Sequence, residues 1–190
     1  MFRPLTAALS RFGRREHGGM SIESVLVLPM LAWALLACFS YFDGLRQANV
    51  GIKATHTIGD LLSRETAPVD AAYMDGMDDV LNFLVRSPNP ARMRVTTVTY
   101  DGGDEAFELG WSHGTGGAAA FTDADLPLLL PHLPQSAGGD TLIVVETWVD
   151  YPAPFVMGLS SRVLTNVIVT RPRFAPQLKW ADGGSAALTG

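Results

Sequence analysis

Cysteine is almost absent: the chain has one, Cys38, and it lies inside an apolar run, so no internal disulfide can staple a folded domain. Any such domain must be held by apolar burial. Histidine is nearly as scarce, and His17, His56, His113 and His132 stand too far apart in sequence for a metal-ligand spacing. There is no glycine-rich phosphate loop, and the lone thiol has no nucleophilic setting. These gaps remove the commonest catalytic, cofactor and metal centres, and the chain is expected not to be an enzyme. Positive charge is also thin beyond residue 42, where ten Lys and Arg face seventeen Asp and Glu, a net of −7. An acidic body disfavours nucleic acid as a partner.

What is present is grease in one place. Across 190 residues, 47% are hydrophobic and 17% charged, and the mean hydropathy of +0.18 has one main source. Residues 24–42, SVLVLPMLAWALLACFSYF, carry no charge and as a helix would extend about 28 Å, enough to cross a hydrocarbon core. A buried core helix would keep a polar face, whereas this run offers only two serines. Arg3, Arg11, Arg14 and Arg15 precede it, while only Arg46 and Lys53 follow closely, so the N-terminus is expected on the cytoplasmic side. The body then lies on the opposite side of the membrane.

Downstream, Leu45, Ala48, Ile52, Thr55, Gly59 and Leu62 recur at three and four residues, predicting one helix over residues 19–65 with its outer part free to pack on a domain. Gly51 and Gly59 weaken it locally. A second helix is predicted over residues 70–86, with Asp70 as N-cap, a stripe of Tyr73, Met77, Val80 and Leu84 widened by Met74, Leu81 and Val85, and a stop at Ser87-Pro88. The period then becomes two. Met93, Val95, Thr97 and Thr99 alternate with Arg94, Thr96, Val98 and Tyr100, and after the Asp101–Asp104 turn Phe107, Leu109 and Trp111 alternate with Glu108, Gly110 and Ser112. That predicts an antiparallel hairpin with one buried face. Thr122 and Asp125 resemble a cap on a short helical segment limited by Pro127 and Pro131. Residues 141–151 and 161–171 are apolar, β-branched runs, predicted as central strands.

The expected class is therefore α+β: a long N-terminal transmembrane helix continuing into a domain with a second helix and a four-stranded antiparallel sheet. The divisions read as a basic leader (1–18), an anchor helix (19–65, span 24–42), a folded domain (66–180) and a flexible tail (181–190).

Arg14-Arg15-Glu16-His17-Gly18-Gly19-Met20-Ser21-Ile22-Glu23 stands directly before the greasy run, and Glu23 is a carboxylate opening a membrane helix. As a plain helix-start acid it gains from the positive end of the helix dipole. The stretch also resembles bacterial prepilins and pseudopilins, with a basic leader, a glycine before the cleavage point and glutamate fifth in the mature chain. Cleavage after Gly18 puts Glu23 in that place, and cleavage after Gly19 makes it fourth. The VLVLPML of residues 25–31, with Pro29, is similar to the TadE and TadF proteins of tight-adherence pilus systems, as are Tyr151-Pro152 and Arg171-Pro172-Arg173 near the end. Ser24 departs from the aromatic usual after the glutamate. The resemblance implies a pilin-like domain in the periplasm of a bacterium, anchored in inner-membrane lipid. Its partners would be other pilus-assembly proteins and pseudopilins, and a prepilin peptidase, without cofactor, metal or small-molecule substrate. Processing would fall at Gly18 or Gly19, Glu23 would pair with a neighbour's freed α-amino group, and Pro29 would kink the helix.

Other readings compete. Leu35-Leu36-Ala37-Cys38 resembles a lipobox, which would make the chain a lipoprotein anchored through Cys38, although the residues after it stay membrane-like; Ala32, Ala34 and Ala37 would suit a removed secretory signal. A membrane-tethered sensory or ligand-binding module would build its pocket from Trp111 and Trp148. Asp101, Asp104 and Glu105 would hold calcium or simply charge a hairpin tip, and Glu146 is expected at the solvent side or an edge.

Overall fold

The computed structural model describes residues 17–155 and 158–181, and for residues 17–22 the helical backbone alone. The expected leader and tail thus fall almost wholly outside the described residues. The architecture is α+β, with the two long helices on one face of an antiparallel sheet and a short helical segment on the other.

Helix α1 (His17–Ser63) runs 47 residues, about 70 Å, and continues through Pro29 without a break. It ends two residues before the expected stop. Arg64 and Glu65 donate to the carbonyls of Leu61 and Leu62, and the Glu65 carboxylate takes the N–H groups of Thr66 and Ala67 as the chain turns toward Pro68. Its second half is buried through Gly51, Ala54, Thr55, Ile58, Gly59 and Leu62, while Leu45 and Ile52 face outward. The packed stripe is therefore rotated from the one the spacing suggests, because small residues let the helix approach closely. A Cβ on Gly44 would come 2.7 Å from Leu159, one on Gly51 3.0 Å from Asn166, and one on Gly59 would collide with Ile168. Between them a buried polar chain crosses the interface: Thr55 donates to the Gly51 carbonyl and meets the Thr147 hydroxyl at 2.7 Å.

Helix α2 (Ala71–Val85) starts where expected, Asp70 accepting the N–H of Tyr73 at 2.8 Å. It closes on Arg86, whose N–H makes the last i→i−4 bond to the Asn82 carbonyl and whose left-handed φ of 51° turns the following chain out of the helix. Here the wider flank is the deep one: Met74, Leu81 and Val85 are buried, and Tyr73, Met77, Val80 and Leu84 only partly so.

The sheet order is β2-β1-β3-β4, from β1 (Arg92–Asp101), β2 (Ala106–Thr115), β3 (Thr141–Tyr151) and β4 (Arg162–Thr170), all antiparallel. Two expectations fail here. Strand β4 pairs only with β3 and is an edge, not central; its apolar residues are covered by α1 on one side and left half-buried on the other. The hairpin does not bury a single face either. Its register slips between Thr97 and Val98, leaving Gly110 as the extra residue, so Leu109 opposes Val98 while Trp111 opposes Thr97. Phe107 and Leu109 therefore point to one face and Trp111 to the other.

Both faces carry a core. Ala54, Ile58 and Leu62 of α1 and the buried flank of α2 pack on Met93, Val95, Ile143, Val145 and Val149. On the opposite face, Val98, Leu142 and Val144 are covered by Leu129, Leu126, Phe121 and Leu133. That cover is the segment around the short α3 (Leu126–Leu129), entered through a box in which Asp125 accepts both the N–H and the hydroxyl of Thr122. Finally, residues after β4 fold back as a strap: Val69 and Trp180 form a parallel bridge, and the Trp111 indole donates to the Leu178 carbonyl at 2.8 Å.

Candidate functional site

The apolar run is not a core element. From Val25 to Phe42 nearly every side chain is exposed: Met30 at 73%, Trp33 at 59% and Phe42 at 69%, with only Ser40 buried. Among the described residues, one helix is long and apolar enough to cross a membrane. Glu23 is exposed at the head of the apolar run but is the seventh residue of α1, past the first turn where the expected helix-start acid would gain from the dipole; Gly18 and Gly19 lie in the opening turn, and Pro29 and Cys38 are both on the exposed surface.

The helix meets the sheet at a polar knot. Tyr151, 4% exposed at the end of β3, directs its hydroxyl to the Asp43 carboxylate at 3.2 Å and the Ser40 carbonyl at 3.4 Å. Burial, reinforced by the Asp43 carboxylate, pushes the Tyr151 phenol above its ordinary pKa, with Arg162 opposing. Around the knot the described residues of the β3–β4 loop lie against α1. Phe155 meets Phe39 edge to face at 6.3 Å, and Leu159 fills the notch at Gly44.

Of the family-like marks, Tyr151 and Pro152 belong to this junction, whereas the others sit near the opposite end of the sheet. Arg171 pairs with Asp140 at 2.9 Å and Arg173 with Asp60 at 3.2 Å, both exposed, while the Arg173 N–H caps the Ser63 carbonyl at the end of α1. Pro172 separates the two arginines, so the chain leaves the sheet there.

Glu146 corrects an expectation, being buried and not at the solvent side. It pairs with Arg94 directly opposite on β1, with Nε and Nη2 each 2.7 Å from one carboxylate oxygen. The guanidinium also lies 3.2 Å from the Phe121 ring centroid and 5.1 Å from that of Trp148, and donates to the Ala119 carbonyl. Sequence reasoning missed this cluster; the available signal was a carboxylate, Glu146, in the middle of an apolar strand, which needs a cationic partner when buried. Trp111, on the other face, meets Trp180 in a tilted contact at 4.9 Å and not Trp148, so the two tryptophans share no pocket. A shallow recess of about 370 Å³ between α1 and α2 is lined by Arg46, Gln47 and Arg86 with the apolar Val50, Phe83 and Leu84.

At the hairpin tip Asp101 accepts the Gly103 N–H, and among the described residues no group of three His, Cys, Asp or Glu is arranged around a common metal position. The fold and the junction define an α+β chain with one long N-terminal helix whose first half is apolar and uncovered. Comparison with protein-family models, with curated proteins and with solved structures gave no match.

Proposed function

We propose that the chain is a single-pass membrane protein of the TadE/TadF kind: a minor pseudopilin or assembly factor that works by protein contacts in building a bacterial adhesive pilus. Its N-terminus is cytoplasmic, and its sheet domain is periplasmic. The observation that supports this most is the division of one helix into two environments. Residues 24–42 are exposed apart from Ala37 and Ser40, while from Gly51 onward one face of the same helix is buried on the sheet. A water-soluble protein would have to hide the first part; a lipid bilayer does so at no cost. The polarity of the sequence around Glu23 supports the pilin-like reading over a plain anchor. A carboxylate at the head of a membrane helix is costly alone and tolerable beside a neighbouring subunit's ammonium group.

Intact-mass and N-terminal analysis of the native, membrane-extracted chain tests this, together with co-purification against prepilin peptidase and pilus-assembly proteins. The expected mature chain begins at Gly19, after cleavage behind Gly18, and co-purifies with those partners. A chain beginning at a lipidated Cys38 would establish a lipoprotein instead, and recovery from the soluble cytosolic fraction would end the proposal.

A further inference from the structure

Lipid contact is not confined to the helix. We infer that the β3–β4 loop is a second membrane contact, with Phe155 inserted at the boundary between headgroups and acyl chains. The inference rests on the proposed membrane span.

Three observations place the loop at that depth. Its described residues touch α1 only within the last turns of the apolar run and just beyond: Phe155 on Phe39, Gly158 beside the Tyr41 hydroxyl and Leu159 against Gly44. Phe39 is sixteen residues past Glu23, roughly 24 Å along a helix rising 1.5 Å per residue, and Asp43, the next charge, comes at roughly 30 Å, close to a hydrocarbon thickness. With Glu23 at the inner boundary, Phe155 therefore lies at the level of the outer one. The second observation is composition, since none of residues 152–155 and 158–161 is charged, in a chain whose body is otherwise acidic. The third is exposure. Phe155 is 40% exposed and packs beside Phe39, itself 55% exposed, on a level of α1 where Tyr41 and Phe42 are also exposed.

The loop backbone does not need to enter hydrocarbon, where irregular segments leave polar groups unsatisfied. The Ala153 N–H already donates to the Ser161 hydroxyl at 3.0 Å, which closes the loop base and leaves the aromatic ring to project. Aromatic side chains favour this boundary. Two contacts, α1 and the loop, would fix the tilt of the domain against the bilayer, which one helix alone leaves free to rotate.

The test uses the full chain in phosphatidylcholine–phosphatidylglycerol vesicles at low protein-to-lipid ratio, with Cys38→Ser removing the native thiol. Single variants Phe155→Cys, Trp33→Cys and Phe83→Cys are labelled with an environment-sensitive fluorophore. Each is then exposed to lipids bearing a nitroxide near the acyl carbonyl and to aqueous iodide. Lipid quenching at Phe155→Cys several-fold above that at Phe83→Cys is the expected result, with Trp33→Cys also lipid-quenched and shielded from iodide. If Phe155→Cys answers to iodide as Phe83→Cys does while Trp33→Cys remains lipid-quenched, the span stands and the loop contact is wrong. Protection of Phe155→Cys from both quenchers, growing with protein density, would assign the ring to a second copy of the chain and overturn the lipid contact. Iodide quenching at Trp33→Cys would remove the span and the inference together.

Discussion

Tyr151 and Asp43 are 108 residues apart in the chain and 3.2 Å apart in space, the phenol at the end of β3 donating to a carboxylate one residue beyond the uncharged run of α1. The same proton is within reach of the Ser40 carbonyl, so the bond ties the sheet to the helix at the level where the helix leaves its apolar segment. Replacing Tyr151 by Phe keeps the packing and deletes the donor. A hydrogen bond to a charged group contributes about 1.5–3 kcal/mol, and urea unfolding of the detergent-solubilised Tyr151→Phe chain should show a loss of that order.

The alkaline limb of stability follows from the same residue. The folded phenol has its pKa raised above 10.0, so below about pH 10 both folded and unfolded chains keep the proton and its contribution is fully present. As pH rises further the unfolded chain ionises first, and stability falls until the folded phenol ionises too. Tyr73, also raised by burial and by Glu65, adds to the decline. Thermal unfolding followed upward from about pH 10 should therefore drop less steeply in Tyr151→Phe than in the parent, without becoming flat.

Arg94 and Glu146 form an ion pair with both side chains only 12% and 11% exposed. Removing one partner strands the other. Arg94→Met should cost about 3–5 kcal/mol in urea unfolding, whereas Arg94→Met combined with Glu146→Leu should recover most of the loss, since a matched apolar pair carries no desolvation penalty. A double variant no more stable than the single one would show that Arg94 acts through Phe121 and Trp148 instead.

At Gly59 α1 lies close against β4, the place of a Cβ being taken by the Ile168 side chain. Ala there gains helix propensity of about 1 kcal/mol and can be accommodated by moving the end of Ile168, so it should be near neutral. Leu cannot be, and overpacking of about 1–3 kcal/mol is expected for Gly59→Leu, with faster amide exchange over the buried half of α1.

Glu23→Gln separates anchorage from assembly. The uncharged run is untouched, so membrane fractionation should be unchanged. Loss of a paired carboxylate should weaken association with pilus-assembly partners by at least about tenfold, roughly 1.4 kcal/mol, in quantitative co-purification. Unaltered association would remove Glu23 from the assembly contact.

Local signals carried the elements well. Asp70 and Tyr73 at the start of α2, the Thr122–Asp125 box and the period of two from Met93 to Tyr100 are all short-range features, and the structure places each where its spacing put it. The failures are long-range. An apolar strand reads the same whether it has one neighbour or two, so β4 looked central; and one extra residue, Gly110, reverses the sense of every alternation beyond it. A glycine inside a strand is a known mark of a bulge, and that signal was there to be read. In the expected stripe of α1, Thr55, Gly59 and Leu62 are buried and Leu45 and Ile52 are not, because the packed face follows the small residues Gly44, Gly51 and Gly59, which repeat at seven and eight residues.

By itself the sequence determined that a single uncharged segment of 19 residues stands near the N-terminus with a carboxylate at its head, and that helices are followed by paired strands, because these depend only on composition and on periods of two and three to four. Only the tertiary structure decided that Arg94 meets Glu146, that Tyr151 reaches Asp43, and that Phe155 lies beside Phe39. Those contacts join residues 52, 108 and 116 positions apart, and their formation depends on strand order, register and helix docking, which no local pattern of side chains encodes.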